Sequence, residues 1–353
     1  SNGFAEGIEN VQKRIGLEAA RALYSLSRQG SEYVRGEIAC SDPAIKMGDG
    51  WIVALRHRDA GDLKSYRDMM ARDYGEELQF LSTEQTREKL NSVRYFESIS
   101  NSGAFHIHPL KYSLMLAREA EKSGASLHES SPALAVEKLG NEWRVRCAEG
   151  EVIAQHVVHC VSSLDRIIHK ASGRAVLPVA TYVAVTEPLN QDAVRTSAAV
   201  ADTRRAGNYY RLIDGGRLLW GGNITTRVSE PERLAEQMKG DMLATYPQLG
   251  NPRIEYSWAG LMGYARHFMP LIGSDGQGQW WATAFGGHGM NTTAMGGILM
   301  ARAIAQKDDE YRRFAPFGLQ WAGGPFGRIG VQAGYWAMQI RDRLDERRSD
   351  KAA

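Results

Sequence analysis

Cysteine is scarce: Cys40, Cys147 and Cys160 are the only three in 353 residues, odd in number and far apart. No Cys-x-x-Cys occurs, which excludes a zinc ribbon and a dithiol redox motif; free thiols in a reducing, cytoplasmic setting are expected. No apolar run is long enough to cross a bilayer, so no membrane partner is expected. An excess of one charge is also lacking. Lys and Arg number 43 against 41 Asp and Glu, a formal charge of +2, and no concentrated basic run precedes Arg347-Arg348. That balance points away from nucleic acid. There is no Walker loop, no Gly-x-Ser-x-Gly, no His-Glu-x-x-His and, among 37 glycines, no Gly-x-Gly-x-x-Gly. The first residue is Ser1, not Met, so either processing or a longer parent chain is expected.

What is present is an ordinary globular composition, 43% hydrophobic and 24% charged, long enough for about two to three domain-sized units. Residues 6–35 read as one amphipathic helix, with Ile8, Val11, Ile15, Leu23 and Leu26 at helical spacing. A short strand at Trp51–Leu55 and a helix at 60–73 follow. Ser82-Thr83-Glu84-Gln85 is a capping box that opens another helix. Pro109 sits at a first helical position, and Leu110, Leu114, Ala117 and Ala120 are expected to line one face of that helix. Strand-like runs at 126–129, 133–139, 142–148 and 151–161 come next. A helix, a meander and an apolar strand form the second half of an α/β nucleotide-binding layout; any α/β domain with an antiparallel insert is the alternative. Antiparallel sheet is expected over 176–226, a helix at 232–245 and a strand at 258–265.

The most telling stretch is Trp280–Phe285, a short strand that runs into Gly286-Gly287-His288-Gly289-Met290-Asn291-Thr292-Thr293, with a helix from Ala294. Strand, glycine loop, helix aims free backbone N–H groups and a helix dipole at an anion or an electron-rich carbonyl. It is not a Rossmann phosphate loop, because its sixth position is Thr292 and no acidic-ended strand follows. His288 reads as a general base, a metal ligand or a locally packed spacer, the last being favoured. His106 and His108 share a strand side and can bind metal, but no third ligand lies at a recognisable spacing. Asn208-Tyr209-Tyr210-Arg211 offers an Arg able to grip a carboxylate and a Tyr beside it, or an edge-strand ion pair. With so few acid, base or nucleophile motifs, the chemistry is expected to be delegated to a cofactor.

These stretches together resemble the FAD-dependent D-amino-acid oxidase/sarcosine oxidase superfamily, and within it the γ-glutamylputrescine oxidase-like amine oxidases. Ser1-Asn2-Gly3-Phe4 is similar to the end of the family's Ser-x-Arg-Asn-Gly-Gly loop. Phe105 to Tyr112 is similar to its Pro-centred helix start. Gly263-Tyr264-Ala265-Arg266 with Pro270-Leu271-Ile272-Gly273 resembles the flavin-side strand, and Gly286 to Met290 the terminal flavin loop. The resemblance implies non-covalent FAD, with Asn2 and Gly3 along its phosphate-to-flavin side and Ala133 at the adenine-side backbone contact. Ser162 would lie near the same end. Gly260 and Gly263 would pass close to the ring, and Gly287, His288, Gly289, Met290, Asn291 and Thr292 would face the flavin pyrimidine. Some relatives carry Lys at the position of Asn291, which implies a lower flavin potential here. The family's first βαβ unit is expected to precede Ser1, so weak or no FAD retention is expected of this polypeptide.

The resemblance implies an α/β, two-domain fold. An N-terminally incomplete Rossmann-like FAD domain would take 1–35, 104–165 and 256–310. A mixed, largely antiparallel substrate domain would take 36–103 and 166–255, and 311–353 would be a helical extension with a frayed end. The implied reaction is oxidation of an amine C–N bond with O₂ reduced to H₂O₂, with His106, Tyr209 and Arg211 as substrate-binding residues and no certain catalytic residue. An N-methyl- or D-amino-acid oxidase or dehydrogenase, or a non-catalytic remnant, are the alternatives.

Overall fold

The computed structural model describes residues 1–164, 168–190, 192–204, 207–229 and 231–351. In chain order the first half contains helices α1 (Ile8–Ile15) and α2 (Leu17–Ser41), strand β1 (Lys46–Ala54), α3 (Ala60–Met69), β2 (Gln79–Leu81), α4 (Thr83–Leu90), β3 (Ser98–Ile107) and α5 (Pro109–Lys122). Four short strands follow: β4 (Ala135–Leu139), β5 (Glu142–Arg146), β6 (Glu151–Ala154) and β7 (Val157–His159). The second half holds α6 (Lys170–Ala175), β8 (Val176–Pro188), β9 (Ala199–Asp202), β10 (Tyr209–Ile213), β11 (Arg217–Thr225), α7 (Leu234–Thr245) and β12 (Ile254–Ala265). β13 (Leu271–Ser274), β14 (Gln279–Thr283), α8 (Gly289–Gln306) and α9 (Gly324–Lys351) complete it.

Eight strands form one sheet in the order β12-β8-β11-β10-β9-β1-β3-β2. Its neighbours run antiparallel except for β1 with β9. A second sheet, β13-β14-β7, joins an antiparallel pair to a parallel one, and β4-β5-β6 is a meander. The result is the mixed α/β class expected, with a largely antiparallel main sheet. The expected domain boundary between 165 and 166 lies outside the described residues, as do 352 and 353.

The capping box of α4 forms in full, with Ser82 Oγ accepting from Gln85 N and the Gln85 side chain accepting from Ser82 N. Several expectations need correction. The helix expected over 6–35 is two helices, because Gly16 adopts φ 84°, a left-handed conformation open to glycine that interrupts the ladder. On α5 it is Tyr112 and Met115 that are buried, against Val34 and Ile38 of α2; Leu110 and Leu114 stay exposed, on the opposite stripe. Residues 126–129 form no strand, and the run 151–161 breaks into β6 and β7. Helix α9 runs past Asp345 to Lys351, with Glu346 paired to Arg56 and Arg204 and Ser349 Oγ accepting from Arg58 N.

Two apolar cores flank the junction that matters for the site. One lies under α1, α2 and α8, with Leu23, Leu26, Met295 and Leu299 buried together. The other lies behind the main sheet, where Tyr210 stacks on Trp220, Tyr246 meets both rings edge-on, and the Tyr210 and Tyr246 hydroxyls share a 2.7 Å hydrogen bond. Helices α2 and α8 approach closely enough that a Cβ on Gly30 would lie 2.1 Å from the Asn291 carbonyl oxygen.

Candidate active site

The site lies where the start of α8 meets the main sheet. Strand β14 delivers the chain to Gly286-Gly287-His288, and α8 begins at Gly289. The loop is moulded on β12. Gly286 N donates to the Gly263 carbonyl at 3.0 Å, and Gly287 N donates to the Tyr264 hydroxyl at 2.9 Å. A Cβ on Gly286 would stand 2.6 Å from the Tyr264 ring, so this turn, at φ 61°, requires glycine on both counts.

A cavity of about 370 Å³ opens between this loop and the sheet. Tyr209 and Arg211, two residues apart on β10, face it, while Tyr210 lies between them with its ring in the core behind the sheet. Trp51 of β1, Phe105 and His106 of β3, and His288 with Met290 of α8 complete the wall. Among the described residues, no Asp or Glu lines it.

The electrostatics are unusual for that reason. Arg211 is half-buried; one terminal nitrogen donates to the Ile107 carbonyl at 3.5 Å, and its Nε is buried with no partner. No acidic side chain pairs with it among the described residues, and burial lowers its pKa. His106 is buried, and burial likewise lowers it. Its Nε2 faces the Ser197 carbonyl at 2.8 Å, so Nε2 carries the hydrogen and Nδ1 keeps a lone pair that no partner uses. Gly48 makes this possible, since a Cβ there would lie 2.5 Å from Nε2. Burial pushes His288 down to about 4, and its Nε2 donates to the Ser1 carbonyl at 3.1 Å. The Tyr209 hydroxyl bonds Thr181 Oγ1 at 3.1 Å.

His106, Tyr209, Arg211, Gly287, His288, Gly289, Met290 and Asn291 therefore all border one cavity. The amide of Asn291 is engaged elsewhere: Nδ2 donates to Ser27 O at 3.2 Å and Gly3 O at 3.5 Å, tying α8 to α2. Gly3 N donates to Ser27 Oγ in the same knot, and Thr292 Oγ1 donates back to His288 O. Asn2 donates to Glu76 at 2.7 Å. Ser162 and Gly263 border a separate cavity of about 470 Å³ on the far side of the loop. Gly260 lies mid-strand on β12 opposite Thr181, and Ala133 is exposed in the loop before β4, at neither cavity. His108 caps α5 instead of joining His106, and no cluster of three or more His, Cys, Asp or Glu suited to a metal occurs among the described residues. Trp51 and Tyr264 were missed as site residues. For Trp51 the signal was its period-two match with Val53 on one strand face.

Gly289, the first residue of α8, lines both the 370 Å³ and the 470 Å³ cavities. The larger one follows Gly263, Gly286 and Gly297, and the buried Thr283 Oγ1 beside it has no partner. Glycine-lined space on both sides of a helix start suits an elongated cofactor whose electron-rich end meets backbone donors. The family profile described as "FAD dependent oxidoreductase" (DAO) matches residues 5–303. The chain belongs to the DAO family of FAD-dependent oxidoreductases. Its cofactor is FAD, and the arrangement around Gly289 fits it.

Among curated relatives of this oxidoreductase, a probable oxidoreductase OrdL of Haemophilus influenzae is 28% identical over 89% of the chain and 74% of its own length. A γ-glutamylputrescine oxidoreductase of Escherichia coli is 27% identical over 97% of the chain and 82% of its own. The fold is that of a glycine oxidase from Geobacillus kaustophilus, with a TM-score of 0.73 at 19% identity over 84% of this chain and 83% of that one.

Proposed function

We propose that this oxidoreductase oxidises the C–N bond of an amine that also carries a carboxylate, with the carboxylate on Arg211. The observation that carries the reading is the half-buried Arg211 guanidinium, which faces a cavity that no acidic side chain lines among the described residues. A cation held so, with an unpartnered Nε, is stabilised by an anion that enters the cavity and supplies charge-assisted hydrogen bonds. A carboxylated amine of the γ-glutamylputrescine kind is the substrate we favour, supported by the E. coli relative's printed activity.

The same charge pattern suits the amine. Arg211 is positive, and burial lowers the pKa of His106 and His288, so no described side chain in the wall carries a negative charge to hold an ammonium ion. An amine bound there is pressed towards its neutral form, which keeps the nitrogen lone pair needed to expel electrons from the adjacent C–H bond. His106 Nδ1 offers an acceptor for the amine N–H. Trp51, Phe105 and Tyr209 exclude water and hold the carbon skeleton between Arg211 and the glycine loop. Gly287, Gly289 and Met290 border the cofactor side, where bound FAD supplies the two-electron acceptor. The amine loses two electrons and two hydrogens to become an imine, water adds to the imine carbon and the C–N bond breaks to give a carbonyl compound and free ammonia or amine, and O₂ takes up the two electrons with two protons to give H₂O₂. We place the reaction in polyamine breakdown in the cytoplasm; three free thiols support that setting.

The test is peroxide release by the FAD-supplied chain with γ-glutamylputrescine, putrescine, sarcosine and D-alanine. The reading expects turnover of carboxylated amines and little with putrescine. Equal turnover of putrescine would remove the role given to Arg211, and no turnover with any amine would remove the reaction class.

A further inference from the structure

Helix α9 has two unlike faces. One is tied to the body of the protein. Gln332 Oε1 accepts from Thr226 N at 2.9 Å and from the Thr225 hydroxyl at 2.7 Å, and Arg328 donates to Thr226 O at 2.8 Å. Further along, Asp342 is buried and Glu346 pairs with Arg56 and Arg204. The other face is left to solvent. Phe326, Ile329, Trp336, Ile340 and Leu344 are 79%, 68%, 51%, 58% and 46% exposed, with Gly330, Ala333 and Ala337 exposed among them. The Arg227 guanidinium stands over the Trp336 ring at 5.9 Å, which holds the indole on this side.

Phe326, Ile329, Ala333, Trp336 and Ile340 succeed one another at intervals of three, four, three and four residues, and Leu344 follows four later. That spacing gathers them on a narrow stripe, the seam along which one helix packs on another, where a core takes a wider apolar face. A lipid surface is the poorer match. Helices that lie on membranes are rich in Lys and Arg beside their apolar face, and no charged residue occurs between Ile329 and Ile340. From the exposures above, the stripe presents about 600 Å² of apolar surface, the upper end of the largest patch on a monomer. Two such stripes together remove about 1,200 Å², where specific, stable interfaces begin.

The stripe complements itself when two copies run antiparallel. Ala333 then meets the partner subunit's Trp336 on both sides of a two-fold axis, so each indole faces a methyl group, and Ile329 meets the partner subunit's Ile340. In parallel register the two indoles would collide, and Arg341, Arg343, Arg347 and Arg348 would crowd their own copies. The antiparallel pair sets these arginine groups at opposite ends, about 30 Å apart, beyond the range at which salt lets exposed charges act.

We propose that α9 is the interface of a homodimer, in which two copies pair antiparallel along the stripe from Phe326 to Leu344. The experiment is sedimentation equilibrium of the full chain, supplied with FAD, over a wide range of concentration. The mass expected at high concentration is twice the 39.1 kDa of one chain. Ile329→Glu and Ile340→Lys should each sediment as single chains. Both change exposed side chains, and unchanged thermal melts would show that the fold is kept. Mixed one to one, the two variants should regain the dimer, because antiparallel pairing sets the new carboxylate against the new ammonium and leaves one Ile329–Ile340 contact whole. Parallel pairing brings neither pair together. A single-chain mass for the unaltered protein at every concentration, with or without binding to vesicles of anionic lipid, overturns the proposal. So does a dimer that survives either substitution, or a mixture that stays monomeric.

Discussion

Replacing Arg211 by Met separates a ligand-binding role from a structural one, because the two predict opposite signs. In the free protein the guanidinium makes one long hydrogen bond, to Ile107 O at 3.5 Å, and has no acidic partner among the described residues. Removing it takes an uncompensated, half-buried charge out of the fold, and Met keeps most of the packed stem. The expected change in stability is within about 1 kcal/mol and of stabilising sign, a rise in Tm of no more than about 2–4 °C. Catalysis should move the other way. A hydrogen bond to a charged group contributes about 1.5–3 kcal/mol, so kcat/KM for a carboxylated amine should fall roughly ten- to hundredfold. Its carboxylate-free counterpart should change little. Peroxide release for both amines, beside a thermal melt, is the assay. A drop in Tm with equal losses on both amines would show that Arg211 supports the fold and refute the reasoning.

Tyr264→Phe removes the acceptor for Gly287 N, and amide hydrogen exchange at Gly287 should quicken while that at Gly286, which donates to Gly263 O, is nearly unchanged. Gly30→Ala places a Cβ 2.1 Å from the Asn291 carbonyl and should cost about 1–3 kcal/mol or more by forcing α2 and α8 apart, seen as a lower denaturation midpoint. His288 titrates near 4 in the folded chain and near 6.5 unfolded, so the unfolded state binds the extra proton first as pH falls. Stability should therefore decline from about pH 6.5 down to about 4, and His288→Asn should flatten that part of a Tm–pH profile.

What was legible in the sequence was local. Ser82 and Gln85 announced a helix start, Pro109 another, and the glycines after β14 the loop before α8, because each is a short-range backbone requirement. The break at Gly16 escaped because the apolar spacing runs through it, and periodicity does not register a single residue's φ. The burial of Tyr112 and Met115 in place of Leu110 and Leu114 depended on where α2 lies, which is set by long-range packing. The site was half legible. Arg211 and Tyr209 stood out as a charged and an aromatic residue on one strand face, and the structure added what the sequence does not contain, namely the absence of any acid opposite them. Trp51 reaches the site through the pairing of β1 with β3 and with β9, the latter about 150 residues away along the chain. Asn291 read as a donor towards the cofactor, and only the packing of α2 revealed that its amide serves Ser27 and Gly3.

The central claim is FAD-linked oxidation of an amine recognised through its carboxylate. The most direct measurement is anaerobic mixing of the FAD-loaded chain with a carboxylated amine and with its carboxylate-free counterpart, following loss of the flavin's visible absorption. Rapid bleaching by the carboxylated amine is expected, and slow bleaching by its counterpart or by either amine in Arg211→Met. Equal bleaching by both amines in the unaltered chain, or none by either, would contradict it.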